Sequence, residues 1–485
     1  MSKTKWMNDA MKWGAISCSV LTLVGCAAPQ AFQTPAVTLP QAYSQAARGD
    51  ASAAARAQDV SADRWWLAFN DPLLDSLVTE VLARNNNLAA ASVRVRRAQL
   101  QAGLAVEQSG LQFSATATAG SSRNLDSGAA KVGSNSVRLG VSYELDLWRR
   151  LASQQDAARW EALATAQDLQ STRLVLVATT ARLYWQQAFL QQRLAANADS
   201  IAYAQATLRL IEAQYRAGAV SGLELAEARQ ALAAQQASQP ALQQQLTAAR
   251  TALALLLNAA PGTADVGTRA AALPQALPDA PLPQVQPGLP AALLAQRPDL
   301  RAAEFRLRQS LASTDAARAS AYPAFTLTGS LGSTSTALAS VLQNPVAALG
   351  LGVSLPFLQR STVQLNIKVT QAQYEEAVLL FRQTLFIALG EVDDALGNRG
   401  QLALQAERLQ EALQAAQTAE RLNEVRYRAG AAPLKAWLDA QEKRRNADIA
   451  LADNRLARLN NQLALFQALG GGAGGADVAG ATASP

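Results

Sequence analysis

Two stretches of the chain alternate apolar and polar residues with a period of two. Phe113, Ala115, Ala117 and Ala119 alternate with Ser114, Thr116, Thr118 and Gly120. A polar loop follows, and then Val137, Leu139, Val141, Tyr143, Leu145 and Leu147 alternate with Arg138, Gly140, Ser142, Glu144 and Asp146. Successive strand side chains point to opposite faces, so this pattern predicts a hairpin with one apolar and one polar side. Its arms cover about 111–120 and 137–147. A second pair is expected at about 323–332 and 348–357. There Phe325, Leu327 and Leu331 oppose Thr326, Thr328 and Ser330, while Leu349, Leu351, Val353, Leu355 and Phe357 oppose Gly350, Gly352 and Ser354. Pro323 and Pro356 fall near strand ends, where a missing donor is tolerated. Each arm has the length of a tilted membrane-spanning strand, about ten residues.

Elsewhere the period is helical. Asp71-Pro72 reads as a helix start, a capping side chain followed by Pro at the first helical position. Leu74, Leu77, Val78 and Val81 then recur on one face, and Asn87–Ser109 reads as a second helix. Trp65 and Trp66 just upstream read as packing anchors. Long helices are expected at about 149–215, 222–258, 361–427 and 433–469. At 1.5 Å per residue the first would span roughly 100 Å. Such a helix cannot bury itself in a globule and must pack beside others as a coiled-coil wall. An interruption near mid-length is expected, because long helices rarely run straight.

The elements come twice. Tyr215-Arg216-Ala217-Gly218-Ala219 and Tyr427-Arg428-Ala429-Gly430-Ala431 lie 212 residues apart. Leu139-Gly140-Val141-Ser142 and Leu351-Gly352-Val353-Ser354 share that offset, as do Phe113 and Phe325. Self-similarity at a fixed period marks a duplicated unit. Gly218 and Gly430 each break two Ala/Leu/Gln-rich helices, as glycine does at the corner of a helical hairpin. The repeats are assigned to 61–260 and 291–469, with a Pro-rich linker at 261–290 and a Gly/Ala/Ser tail at 470–485 read as disordered.

Four strands cannot close a barrel, and open sheet edges are not tolerated in lipid. Several copies must therefore contribute strands. Two copies give eight strands and a bore filled by side chains; three give twelve and room to conduct.

Composition sharpens this picture. The chain has 485 residues, 49% hydrophobic but only 5% aromatic, which favours long helices over one thick core. Residues 1–25 read as a secretory signal, with Lys3, Lys5 and Lys12 before a short apolar run. It ends in Leu23-Val24-Gly25-Cys26, which resembles a bacterial lipobox with Cys26 as the lipidated first mature residue. Ala27 is not the Asp that resemblance to inner-membrane lipoproteins would require, which favours the outer membrane. Residues 26–60 are then read as an extended leader from the anchor. Removing the signal takes three Lys and Asp9, so the charge falls from +6 to +4, too mild to imply nucleic acid. There is no His, and Cys18 leaves with the signal. The usual general base, the commonest metal ligand and any intrachain disulfide are thereby lost. No cofactor beyond the lipid is expected, and no enzyme.

With two strand hairpins, two helical corners and a duplication, the chain resembles the outer membrane efflux protein family, the TolC/OprM-type channels, in their lipoprotein branch. Trp65-Trp66 through Phe69, Asp71-Pro72, Leu74, both Tyr-Arg-Ala-Gly corners and Leu438-Asp439-Ala440-Gln441 carry the match. The resemblance implies a mainly helical chain with membrane strands. It implies a homotrimer whose twelve strands form one outer-membrane barrel, continued by a periplasmic helical tunnel. A periplasmic adaptor and an inner-membrane pump would dock on the closed tip and open it. Acidic residues just past each corner form a constriction in the family. The matching positions are Glu224 and Glu227 in the first copy and Asp439 in the second, while Ala436 stands where many relatives have Asp. Tyr215, Arg216, Tyr427 and Arg428 are candidates for links that hold the tip. The alternative for the acids is a solvated helix start favoured by the macrodipole.

An exit duct for small toxic molecules is thus the leading expectation. The outer duct of a type I protein secretion system needs the same tube. A non-conducting trimeric envelope scaffold is the reading from another class, and two internal hairpins speak against it.

Overall fold

The computed structural model describes residues 32–33, 35–45, 62–123, 131–260, 274–285 and 290–471. The signal segment, Cys26 and the tail beyond Gly471 lie outside the described residues, as do parts of the leader and of the linker.

The first helix begins as its sequence demands. Asp71 Oδ1 accepts hydrogen bonds from the backbone N–H of Leu73 and Leu74 at 3.0 and 3.1 Å, and Pro72 follows. Helix α1, Pro72–Arg84, buries Leu74, Leu77, Val78 and Val81. The two tryptophans act as anchors here. Trp65 stacks on Phe466 with ring centres 5.0 Å apart. Trp66 Nε1 donates to Asp75 Oδ1 at 2.9 Å, and Arg64 pairs with the same carboxylate at 2.8 Å. These bonds, the one from Trp66 foremost, hold the Asp75 carboxyl below its ordinary range.

Helix α2 covers Asn86–Ser109, and the chain then enters β1, Gln112–Ser122, and β2, Val132–Leu145. Helix α5, Pro298–Ala319, leads into β3, Ala324–Ser335, and β4, Val346–Ser354. The four strands form one antiparallel sheet in the order β1-β2-β3-β4, so the two hairpins pair through β2 and β3. The register aligns the apolar positions across every strand. Phe113, Val141, Gly329 and Leu349 lie side by side on one face. Ser114, Gly140, Ser330 and Ala348 share the other.

Of the strand bounds that differ from the sequence expectation, β3 reaching Ser335 among them, two have a plain physical cause. β2 starts at Val132, not near 137, because Gly133 and Ser134 continue the ladder opposite Ser121 and Gly120 without an apolar side to betray it. β4 stops at Ser354, short of 357, because Pro356 has no N–H and opens a 3₁₀ turn, Pro356–Gln359.

The long helices are α3, Arg150–Arg216, α4, Gly222–Leu256, α6, Arg360–Arg428, and α7, Leu434–Ala468. The mid-length interruption expected in them is absent: α3 runs 67 residues and α6 69 as single helices. Gly390 and Gly400 sit inside α6 with open space beside them, so each costs only its intrinsic propensity, about 1 kcal/mol. A helix of this length absorbs that. No described helix is long and apolar enough to cross a membrane, which says nothing about a barrel of strands.

The duplication is visible in single bonds. Asn85 Nδ2 donates to the Leu256 carbonyl at 2.9 Å, closing the end of α4. Shifted by 212 residues, Arg297 Nη1 donates to the Ala468 carbonyl at 3.0 Å, closing α7. Different side chains thus answer the same need, since the last helical carbonyls have no partner within their own helix.

The chain divides into two compact units. One comprises Met1–Val37, Val93–Gln167 and Arg301–Thr384 and contains the sheet. The other comprises Thr38–Ser92, Asp168–Leu300 and Leu385–Pro485 and contains both helical corners. In the second unit residues 43–45 of the leader lie against α6. There Gln45 N–H donates to Asp393 Oδ1 at 2.9 Å and the Ser44 hydroxyl to Oδ2, with Tyr43 buried beside them.

Candidate functional site

The two corners are built alike. Gly218 and Gly430 hold φ of 70° and 71°, the left-handed region that glycine enters without a Cβ penalty. At the first, Ala219 N–H reaches the Gln214 carbonyl at 2.8 Å and Gly218 N–H reaches that of Tyr215 at 3.0 Å. At the second, Ala431 reaches Arg426 at 2.8 Å and Gly430 reaches Tyr427 at 2.9 Å. This paired arrangement satisfies the last carbonyls of α3 and α6.

The helices that leave the corners start differently. Ser221 caps α4 by accepting from Leu223 N–H at 3.2 Å. Glu224 reaches back to accept from Ser221 N–H at 3.0 Å and from the Ser221 hydroxyl. That hydroxyl, with the backbone donors, holds the Glu224 carboxyl below its usual range. Glu224 is therefore engaged as a capping-box acid. Helix α7 follows Pro433, which offers no capping side chain.

A small core joins the corners. Ile211 and Ala228 of the first copy pack with Leu434 and Trp437 of the second, flanked by Leu208, Val220, Leu225, Tyr427 and Leu438. Tyr427 stacks on Trp437 with centres 5.3 Å apart and 25° between planes. Its hydroxyl donates to Gln214 Oε1 at 2.8 Å. Burial, then the nearby Glu224 charge, pushes the Tyr427 phenol up, so it stays a neutral donor. Tyr215 holds the equivalent place in the first copy but is 47% exposed. The difference lies one turn into the next helix, where Trp437 corresponds to Leu225 and only the indole offers a stacking surface.

The charged candidates are mostly tied within their own helices. Arg428 pairs with Glu424 at 2.6 Å, and Arg216 Nε donates to the Glu212 carbonyl at 3.3 Å. Asp439 is not bare, because Lys435 reaches it at 3.1 Å. The Lys435 ammonium is held above its ordinary range chiefly by Asp439, with smaller contributions from Glu227 and Glu442. A cation thus stands amid the acids that the sequence singled out. Lys435 was legible as the i,i+4 partner of Asp439. Gln214, Trp437 and Ser221 carry the remaining contacts, and Ser221 was legible as the first residue of a capping box. Nothing in the sequence pattern marked Gln214.

The family model described as "Outer membrane efflux protein" matches residues 77–259 and 289–471, once per repeat. The pyoverdine export outer membrane protein OpmQ of Pseudomonas putida is 33% identical over 471 residues, 94% of this chain and 95% of its own. The cation efflux system protein CusC of Escherichia coli K12 is 28% identical over 467 residues, 94% of this chain and 98% of its own. The open state of the Neisseria gonorrhoeae MtrE outer membrane channel superposes with a TM-score of 0.76 at 27% identity, covering 92% of this chain and 99% of that one.

Proposed function

Because the chain belongs to the outer membrane efflux protein family, we propose that it is the outer-membrane exit duct of a tripartite efflux system, passing drugs or other toxic small solutes. Three copies join their sheets into a twelve-stranded barrel, and their long helices form the tunnel that ends at the corners. Cys26 carries a lipid anchor in this reading. A periplasmic adaptor, driven by an inner-membrane pump, opens the tip. Members of the family are channels, and the chain's task is to hold a passage open or shut.

One observation carries the reading. The sheet has two unpaired edges, β1 and β4, and a face of large apolar side chains turned outward. Leu349 is 94% exposed, Phe113 78% and Leu351 62%. In water such a face and such edges invite aggregation. In a bilayer the face is solvated by lipid, and pairing edge to edge with further copies satisfies the backbone. At the tip, the Tyr427–Gln214 bond is the contact between the two repeats that we assign to holding the closed state, while Asp439 and its helix partner Lys435 supply charge to the constriction. Glu227, Arg428, Tyr215 and Arg216 line the same corners.

Gly222 offers the test. It is exposed, and a Cβ there would meet nothing within 4 Å. A Gly222→Cys protein carrying a photo-crosslinker is irradiated in cells, and captured proteins are identified by mass spectrometry. Capture of the adaptor of a proton-driven pump supports solute efflux. Capture of the adaptor of an ATP-driven protein exporter transfers the assignment to type I secretion. Capture of neither, with a monomeric mass for the purified protein, overturns the duct.

A further inference from the structure

The four strands contain two charged residues, Arg138 and Glu144, both on the polar face of β2. Glu144 is neutralised: Arg150 grips it through Nη2 at 2.6 and 2.7 Å. Arg138 is exposed, and among the described residues it makes no ion pair. Its neighbours across the ladder are Thr116 and Gly332. A Cβ at Gly332 would lie 2.8 Å from the Val137 carbonyl oxygen and 3.4 Å from Arg138 Cβ, so the glycine leaves room for the arginine stem.

The rest of that face is uncharged. Ser114, Thr116, Thr118, Ser136, Gly140 and Ser142 carry it on β1 and β2, and Thr326, Thr328, Ser330, Gly332, Gly350 and Gly352 on β3 and β4. Gln112 and Val346 share that face as well, and neither carries a charge. The one unneutralised charge on that face is therefore a cation, midway along β2.

We propose that Arg138 sets the charge preference of the barrel: an electropositive girdle that favours anionic solutes over cationic ones. This rests on the duct reading, in which the polar face lines the bore and three copies bring three Arg138 side chains to one level. A narrow bore walled by lipid-backed protein focuses such a field and raises the local concentration of oppositely charged solutes. Rings of like side-chain charge select ions by the same means.

The test reads the local potential rather than current, so a closed tip does not silence it. Thr116→Cys places a thiol directly opposite Arg138, about 5 Å away between Cβ atoms. Whole cells are treated with an anionic sulfonatoethyl and a cationic trimethylammonioethyl methanethiosulfonate, at low salt, with the protein carrying Thr116 as background. The ratio of the two rates cancels any change in thiolate content. With Arg138 present the anionic reagent should be favoured, and Arg138→Gln should lower the ratio about fivefold. Arg138→Lys should restore it, and added salt of about 0.5 M should shrink the difference. Rapid labelling with a ratio that Arg138→Gln leaves unchanged overturns the girdle while the water-filled bore stands. If neither charged reagent labels the thiol but a lipid-permeable maleimide does, the polar face is not the bore, and the duct reading and the girdle fall together.

Discussion

The Tyr427 hydroxyl donates a 2.8 Å hydrogen bond to Gln214 Oε1, tying the second corner to the helix that enters the first. It is a direct polar tie between the two copies, made beside a core of only a few apolar residues. A typical hydrogen bond contributes about 1 kcal/mol net.

Tyr427→Phe keeps the ring on Trp437 and deletes only this bond. If the bond holds the tip shut, the substitution shifts the open-to-closed ratio about fivefold towards open. Single-channel recording in planar bilayers reads this directly. An open probability equal to that of the unsubstituted protein would remove Tyr427 from the closing contacts. Burial raises this phenol above its usual value near 10, so the donor is present at all lower pH and is lost only as pH climbs past that raised value. The contribution of this bond should therefore be flat between about pH 6 and 9.

Gly218 and Gly430 should respond equally to alanine. Neither has an atom within 4 Å of the added Cβ, so the cost is the left-handed backbone alone, about 1 kcal/mol. Gly222→Ala is the control, since Gly222 opens a helix at ordinary φ and loses nothing. Thermal unfolding in detergent should rank the first two together and below the third. A Gly430→Ala protein as stable as Gly222→Ala would contradict the corner geometry.

Glu224 should matter as a cap. Its carboxyl is held low by Ser221, so the stabilisation it gives is present above the ordinary carboxylate value and disappears as pH falls through the lowered one. Glu224→Gln mimics the protonated state at neutral pH. Hydrogen exchange of the Ser221 to Leu225 amides should accelerate in this variant and in the parent at acid pH, while the start of α7, which has no capping side chain, should not change in the variant.

Arg297 and Asn85 do one task at repeat-equivalent positions, but unequally. Arg297 is 8% exposed in its side chain and also binds Asp299 at 2.7 Å and Glu391 at 2.7 Å. Burial disfavours its charge, yet the two carboxylates outweigh that and raise its pKa. Both carboxylates are partly solvated, which limits what their loss costs. Arg297→Ala should lower stability by about 2 kcal/mol and Asn85→Ala by about 1 kcal/mol. Equal losses by thermal unfolding would mean that the ion pairs add nothing to the carbonyl bond.

Much was legible in the chain because local patterns act locally. Period-two alternation put Phe113, Leu139, Leu327 and Leu351 on one face, and the ladder keeps them there because a one-residue slip would turn every side chain over. The 212-residue offset announced two copies, and Gly218 and Gly430 marked the corners because the sharp left-handed turn suits no other residue as well. Asp71 and Trp65-Trp66 were readable as cap and anchors.

What the sequence could not determine depends on side chains that meet only after folding. Nothing local says that β2 pairs with β3, joining hairpins some 200 residues apart. Nor does it say that Tyr427, and not Tyr215, finds a stacking partner and an acceptor on the other copy, since that needs Trp437 and Gln214 brought alongside. The partners of Asp439 and Glu224, by contrast, are local, Lys435 one turn before the first and Ser221 at the cap of the second, and spacing alone makes both readable. Periodicity fixes which face a residue occupies. Which charge or ring it meets across that face is a property of packing, and tertiary structure alone decides it.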